Sequence, residues 1–257
     1  MKTIYIKNIK PNWNMLKHHV GKDYIKYSLN MYDILKFNNK SNYLITSNIK
    51  NNELSNLKLS YQNLKIDLIN NNIPTRSRKY CNYRLDVRNK NEFKLGIVDS
   101  DIFVQNTNDN RNIPRKFQLI DKEIILSNWL TDYIGNIAAL ALLNKNDSKI
   151  KYCNVYTHQV RQIVTKDTES HNSPEGIHRD GVDYIVSAFV INKFNVNGGK
   201  SIIYDKNKNK IFETTLEENQ GIFQEDKELY HYVEKINVID DNYFGYRDIL
   251  GFDILFE

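Results

Sequence analysis

The segment Ser173-Pro174-Glu175-Gly176-Ile177-His178-Arg179-Asp180-Gly181 places an imidazole and a carboxylate two residues apart. In an extended segment, residues at i and i+2 project to one face, so His178 and Asp180 can donate to one divalent cation. A second imidazole, His231, opens a later strand-like run. Two His and one carboxylate on one side of an iron leave three positions open, the facial arrangement of non-heme iron(II) oxygenases. A 2-oxo acid can chelate at two of these through its keto oxygen and adjacent carboxylate, leaving the third for dioxygen. If that acid is 2-oxoglutarate, its far carboxylate needs a cation. Arg247 offers a guanidinium, whose fork meets a carboxylate with two parallel hydrogen bonds. A His-x-Asp tripeptide alone is common; its order with a hairpin, further strands, His231 and then Arg247 gives it weight. A kinase reading of His178-Arg179-Asp180 fails, because the required Asn five positions later is Ile185 and no Gly-rich loop precedes it.

These residues need strands to hold them, and the later part of the chain reads as strands. Candidates are 151–165, 183–192, 200–204, 211–215, 221–224, 231–236 and 248–256, with Asn197-Gly198 as a hairpin signal between two of them. Gly198-Gly199 reads as turn chemistry. Shorter alternating stretches lie between Lys79 and Gln105. One helix interrupts them at 127–143, with Ser127 as its cap and Trp129, Leu130, Tyr133, Ile134, Ile137, Leu140 and Leu143 as its apolar side. The first 70 residues read as mainly helical. One helix opens at Pro11 and ends at Gly21, carrying His18 and His19. A second is capped by Asp23, with Ile25, Leu29, Tyr32 and Leu35 as its stripe, and a third runs from about Ser55 to Asn70. Helices followed by many short strands predict an α+β chain with a jelly-roll core. The expectation is a single domain over 1–257, with helices mostly from the N-terminal half packing on a core at 75–257.

Composition narrows the function classes. The 257 residues suffice for one sizeable core, and a 26% charged share is that of a soluble globular protein. The formal charge is +5, but the basic residues are scattered, so neither a nucleic-acid footprint nor an aromatic stacking platform is expected. No apolar run is long enough for a membrane span. Cys81 and Cys153 form no CxxC, and the chain has no signal-like start. They read as free thiols in a reducing, cytoplasmic setting.

Three stretches, HQVRQIV (158–164), SPEGIHRDGVDYIV (173–186) and NVNGGKSIIYD (195–205), resemble the bacterial 2-oxoglutarate/Fe(II) dioxygenases typified by L-isoleucine 4-hydroxylase. TRSRKY (75–80), QNTNDNRNIPRKF (105–117), LYHYV (229–233) and YRDIL (246–250) are similar to further elements of that family. The resemblance covers the chain from about Tyr61 onward. It implies a double-stranded β-helix (jelly-roll, cupin-like) core, Fe(II), 2-oxoglutarate and O2, and hydroxylation of a free aliphatic L-amino acid. Carried over, His178, Asp180 and His231 would ligate iron, and Arg247 would bind the 2-oxoglutarate tail. The carboxylate of Asp180 favours hydroxylation over halogenation. Related enzymes often place a Ser two residues after the Arg. Here Ile249 stands there, so a second hydrogen bond to the tail is expected from elsewhere, with Tyr156 as a candidate. Arg161 and Arg115 are the candidates for the substrate carboxylate, with Arg76 and Arg78 ranked behind them. Two other readings stay open: a dioxygenase of peptide-bound or carrier-tethered amino acids, and a non-catalytic cupin-like metal module.

Overall fold

A computed structural model describes residues 2–10, 16–19, 24–29, 32–37, 42–47, 49–64, 75–89, 92–105, 112–145 and 147–257. Among them the strands are β1 (Thr3–Ile9), β2 (Leu16–His19), β3 (Tyr24–Leu29), β4 (Tyr32–Phe37), β5 (Asn42–Ser47), β6 (Arg76–Asn89), β7 (Glu92–Val98), β8 (Ile102–Phe103), β9 (Arg115–Lys116) and β10 (Gln118–Leu119). They continue as β11 (Tyr152–Val164), β12 (Tyr184–Phe194), β13 (Val196–Gly198), β14 (Lys200–Tyr204), β15 (Lys210–Thr215), β16 (Gln220–Glu225), β17 (Tyr230–Val233), β18 (Ile236–Val238) and β19 (Gly245–Phe256). The helices are α1 (Asn51–Ser60), α2 (Lys122–Ile125) and α3 (Asn128–Lys145).

Nearly all pairing is antiparallel, in a main sheet ordered β1-β7-β6-β11-β19-β12-β16-β5-β4-β3-β2 and a smaller sheet β15-β14-β17. Alternation gives the central strands two different faces. Leu250, Phe252 and Ile254 of β19 join Tyr83, Leu85, Val155 and Phe189 in the large core, beneath Trp129, Tyr133 and Ile137 of α3. Ile249 of the same strand packs instead with Val160, Val190 and Ile222, and with Ile203 of the smaller sheet. The second face therefore lies inside a two-sheet layer, as a jelly-roll-like core requires. Ser127 caps α3 as expected: its Oγ accepts from the Leu130 N–H at 3.3 Å and its carbonyl from the Thr131 N–H at 3.1 Å.

The first third departs from the expected helices. The second of them is instead the β3–β4 pair, and residues 16–19, with His18 and His19, form a strand. Ile25, Tyr27 and Leu29 alternate with Lys26 and Ser28, a period of two that also fits β-branched and aromatic residues. The helical spacing of Ile25, Leu29, Tyr32 and Leu35 competes with that pattern and loses. The third helix begins at Asn51 rather than Ser55 and stops at Ser60, passing into a 3-10 turn at Tyr61–Asn63. Beyond Leu64 its expected continuation to Asn70 lies outside the described residues, as do Pro11, Trp13 and Gly21. The Asn197-Gly198 signal marks a turn but not a hairpin between mutual partners, since β13 pairs with β18 and β14 with β15 and β17.

Phe252 is fully buried, with its ring 5.1 Å from that of Tyr133 on α3. Phe252→Ala is expected to cost about 3–5 kcal/mol of unfolding free energy, measured in urea. A loss below about 1 kcal/mol would mean that α3 does not close this face of the sheet.

Candidate active site

The smaller sheet carries His231 on β17, opposite Ile203 of β14. An isolated bridge joins this strand to the loop before β12: the His178 N–H donates to the His231 carbonyl at 3.0 Å, and the His231 N–H returns to the His178 carbonyl at 2.9 Å. Asp180, two residues on, turns to the same side. Its Oδ1 lies 3.7 Å from His178 Nε2 and its Oδ2 3.5 Å from His231 Nε2, and the two imidazole centroids are 4.2 Å apart. One donor atom from each residue fits within 4.8 Å of the others, so the three suit one metal ion. His178 Nδ1 sits 2.8 Å from the Gly176 carbonyl. A carbonyl only accepts, so Nδ1 carries the proton and the Nε2 lone pair faces the cluster.

A second layer fixes Asp180. Gln105 Nε2 donates to its Oδ1 at 2.8 Å, and Arg115 Nη2 donates to Gln105 Oε1 at 3.2 Å. Buried Asp226 receives the backbone N–H groups of Asp180, Gly181 and Val182 at 2.9, 2.7 and 3.2 Å, holding the turn at 180–182. Burial and then the Asp180 charge push Asp226 up to about 7, opposed by those three donors. Glu175 Oε1 is 3.2 Å from His178 Nε2. Asp226 lacked a sequence signal of its own, because its role arises from contacts made across the fold, whereas Glu175 lies three residues before His178 within the 173–186 stretch.

The triad opens into a cavity of about 450 Å³, walled also by Arg76, Arg78, Arg115, His158 and Asp253. His158 Nε2 is 3.4 Å from Asp253 Oδ2, with the Phe103 ring edge-on at 4.6 Å. Arg115 thus reaches the site. Arg161 does not: it is an odd number of residues from inward-facing His158 and projects to the other face of β11. There it forms a bidentate pair with fully buried Asp248 at 2.6 and 2.7 Å and stacks 4.3 Å from the Tyr246 centroid. Tyr156 is also misplaced for its expected role. It stands opposite Asp253, six residues along β19 from Arg247, or roughly 20 Å of strand. Arg247 itself is buried, and burial pulls its pKa down to about 10. Its Nη1 and Nη2 have no hydrogen-bond partner among the described residues. Gly199, at φ +67°, makes room for it: a Cβ there would lie 2.9 Å from Arg247 Nη1. Such an orphaned buried guanidinium fits an incoming carboxylate.

The family model described as 2OG-Fe dioxygenase matches residues 58–253. Among solved structures, the chain is similar to IDO from Bacillus thuringiensis at 20% identity and TM-score 0.66, covering 80% of this chain and 86% of that one. It is also similar to a bsmA homolog from Methylobium petroleophilum PM1 at 20% identity and TM-score 0.68, covering 79% and 81%. The Fe(II)/(alpha)ketoglutarate-dependent dioxygenase TqaL gives 14% identity and TM-score 0.60 over 81% and 76%. At these identities the three structures speak to the fold alone. No curated protein sequence matches. Among the described residues, no helix is long and apolar enough to cross a membrane, and Cys81 and Cys153 are both buried free thiols.

Two outcomes follow from this geometry. Asp226→Ala is expected to weaken Fe(II) binding about 10–100-fold in anaerobic titration, although Asp226 is not one of the three clustered donors. Unchanged affinity would show that the 180–182 turn holds without it. Arg161→Ala leaves Asp248 buried and unpaired and is expected to cost about 3–5 kcal/mol of stability. Full stability with weakened substrate binding would instead return Arg161 to the site.

Proposed function

Since the chain belongs to the 2OG-Fe dioxygenase family, we propose that it hydroxylates a free L-amino acid, with an aliphatic side chain favoured. Enzymes of the family use Fe(II), 2-oxoglutarate and O2 on small-molecule substrates. When bound, the iron and its cosubstrates supply C–H hydroxylation coupled to decarboxylation of 2-oxoglutarate to succinate and CO2. We assign His178, Asp180 and His231 as the iron ligands and Arg247 as the partner of the cosubstrate's distal carboxylate. The core is read as a double-stranded β-helix, within one dioxygenase domain over 1–257.

The observation that carries the substrate class is the pairing of opposite charges on the wall of one cavity, beside the triad. Arg76, Arg78 and Arg115 line it together with Asp253, so a carboxylate and an ammonium each find a complement there. Arg115 is the first candidate for the carboxylate. Its guanidinium lies 5.3 Å from the Phe103 centroid and 5.6 Å from that of Phe117, a stacking that restrains the fork before a substrate arrives. His158, packed among Tyr80, Phe103 and Phe117, stands beside Asp253 and restrains it. Opposite charges on one wall support the reading of a zwitterion held at its α-carbon, with its side chain toward the triad. The likeness to L-isoleucine 4-hydroxylase in the 158–164, 173–186 and 195–205 stretches supports an aliphatic substrate.

The test is a panel of free amino acids incubated with Fe(II), ascorbate and 2-oxoglutarate. The expected result is one product heavier by a single oxygen, formed in step with succinate. Arg115→Ala should raise KM for that amino acid more than tenfold, by loss of a charge-assisted hydrogen bond of about 1.5–3 kcal/mol. Oxidation of only a peptide-bound or carrier-tethered amino acid would overturn the free-substrate reading.

A further inference from the structure

Part of the cavity wall is apolar, and within it stands a residue with no side chain. Gly251 of β19 lines the cavity together with Val160, Val186 and Ile249. It lies opposite His158 of β11, two residues beyond Ile249 and two before Asp253. The backbone does not demand glycine here. Among the described glycines, left-handed φ values belong to Gly176, Gly181, Gly198 and Gly199, and not to Gly251. Crowding does not demand it either. At the other strand glycines, Gly96, Gly198, Gly221 and Gly245, a Cβ would come within 2.8 Å or less of a neighbouring atom. At Gly251 the nearest atoms would be His158 Cβ at 3.8 Å and the Val186 carbonyl oxygen at 3.9 Å, both ordinary contacts. An alanine fits.

Glycine inside a strand weakens it, because it has more backbone freedom to lose and no side chain to pack. β19 lies between β11 and β12 in the main sheet. A central strand that carries this cost without a steric need for it leaves room for an approaching ligand. The opposing strand enlarges the same space. The register of β12 against β19 shifts between Val186 and Phe189, so Ser187 and Ala188 together face Gly251. Ala188 turns into the cluster with Val160 and Val190, while Ser187 lines the cavity.

The position suits one part of the substrate. Asp253, the complement of the ammonium, is roughly 7 Å along the strand. An amino acid held there by its charged groups meets Gly251 with its side chain. Val160, Val186 and Ile249 border that point with hydrocarbon, which favours an aliphatic chain.

We propose that Gly251 is a specificity-determining residue for side-chain size: the volume it leaves open receives the outer carbons of a branched aliphatic amino acid. The inference rests on the reading that the substrate is a free amino acid held by Arg115 and Asp253.

The experiment compares the wild type with Gly251→Ala and Gly251→Val on L-isoleucine, L-leucine, L-valine and L-2-aminobutyrate, by succinate release and product mass. One methylene too many in an apolar pocket is worth about 10–200-fold in kcat/KM. Gly251→Ala should lower kcat/KM for isoleucine and leucine by that factor relative to the two smaller amino acids. Gly251→Val should extend the loss to valine. Thermal unfolding gives an independent readout. Gly251→Ala should raise Tm by about 1–4 °C, since the strand gains a better residue where there is room for it. An unchanged ratio between large and small amino acids would place the side chain elsewhere and overturn the proposal. A lowered Tm with equal loss on all four would assign the glycine to the β12 bulge and overturn it too. So would a raised KM for 2-oxoglutarate with selectivity unchanged, which would set the cosubstrate against Gly251. If the wild type oxidises no free amino acid, the substrate reading itself fails, and the inference with it.

Discussion

Arg247 and Asp248 are adjacent, buried and of opposite charge, yet they do not satisfy one another. Strand alternation sends them to opposite faces of β19. Asp248 turns toward the helix-covered core and meets Arg161 there, in a closed bidentate pair. Arg247 turns into the space between the sheets, where no described side chain meets its Nη donors. A buried charge with a partner is tolerated, whereas one without a partner costs stability. The rest of the site follows from this split. Residues facing with Asp248 are structural, and those facing with Arg247 border the cavity or the space behind it.

Much of this was legible in the sequence, and where it failed the cause is specific. His178 and Asp180 were readable because a spacing of two puts both side chains on one face of an extended segment, and His231 because it opens a later strand-like run. The strands from 151 onward and the 127–143 helix were readable from their periodicity, to within a few residues. Arg161, a candidate for the substrate carboxylate, falls on the opposite face because it lies three residues along the strand from inward-facing His158. Tyr156 shares the inward face, but a position six residues from Arg247 is too remote for the same ligand. At the N-terminus two periodicities overlap in the same residues, and the pairing of β3 with β4 and of β4 with β5 decides between them.

Other parts of the site carry no signal in spacing or periodicity. Asp226 acts by collecting three backbone donors from a turn more than forty positions earlier, and Gln105 acts by reaching Asp180 from an otherwise irregular segment. Gly199 looked like turn chemistry, and its φ agrees. Its further role, leaving space for a guanidinium brought by a strand much later in the chain, exists only in three dimensions.

The register of the central sheet also sets the order in which such a site can come into being. β11 lies between β6 and β19, so Gln162 is joined to residue 76 on one side and residue 247 on the other. Pairings of such wide sequence separation carry a loop-closure cost that must be met before they return stabilisation, and they make folding slow. The metal-binding cluster depends on the same late closures, because His178 and His231 meet only once β12, β14 and β17 are in place. Iron therefore has no preformed set of ligands to gather in the unfolded chain. An ion that binds only this assembled set stabilises the folded chain as it binds, so metal supply bears on how much of the protein stays folded as well as on how much of it is active.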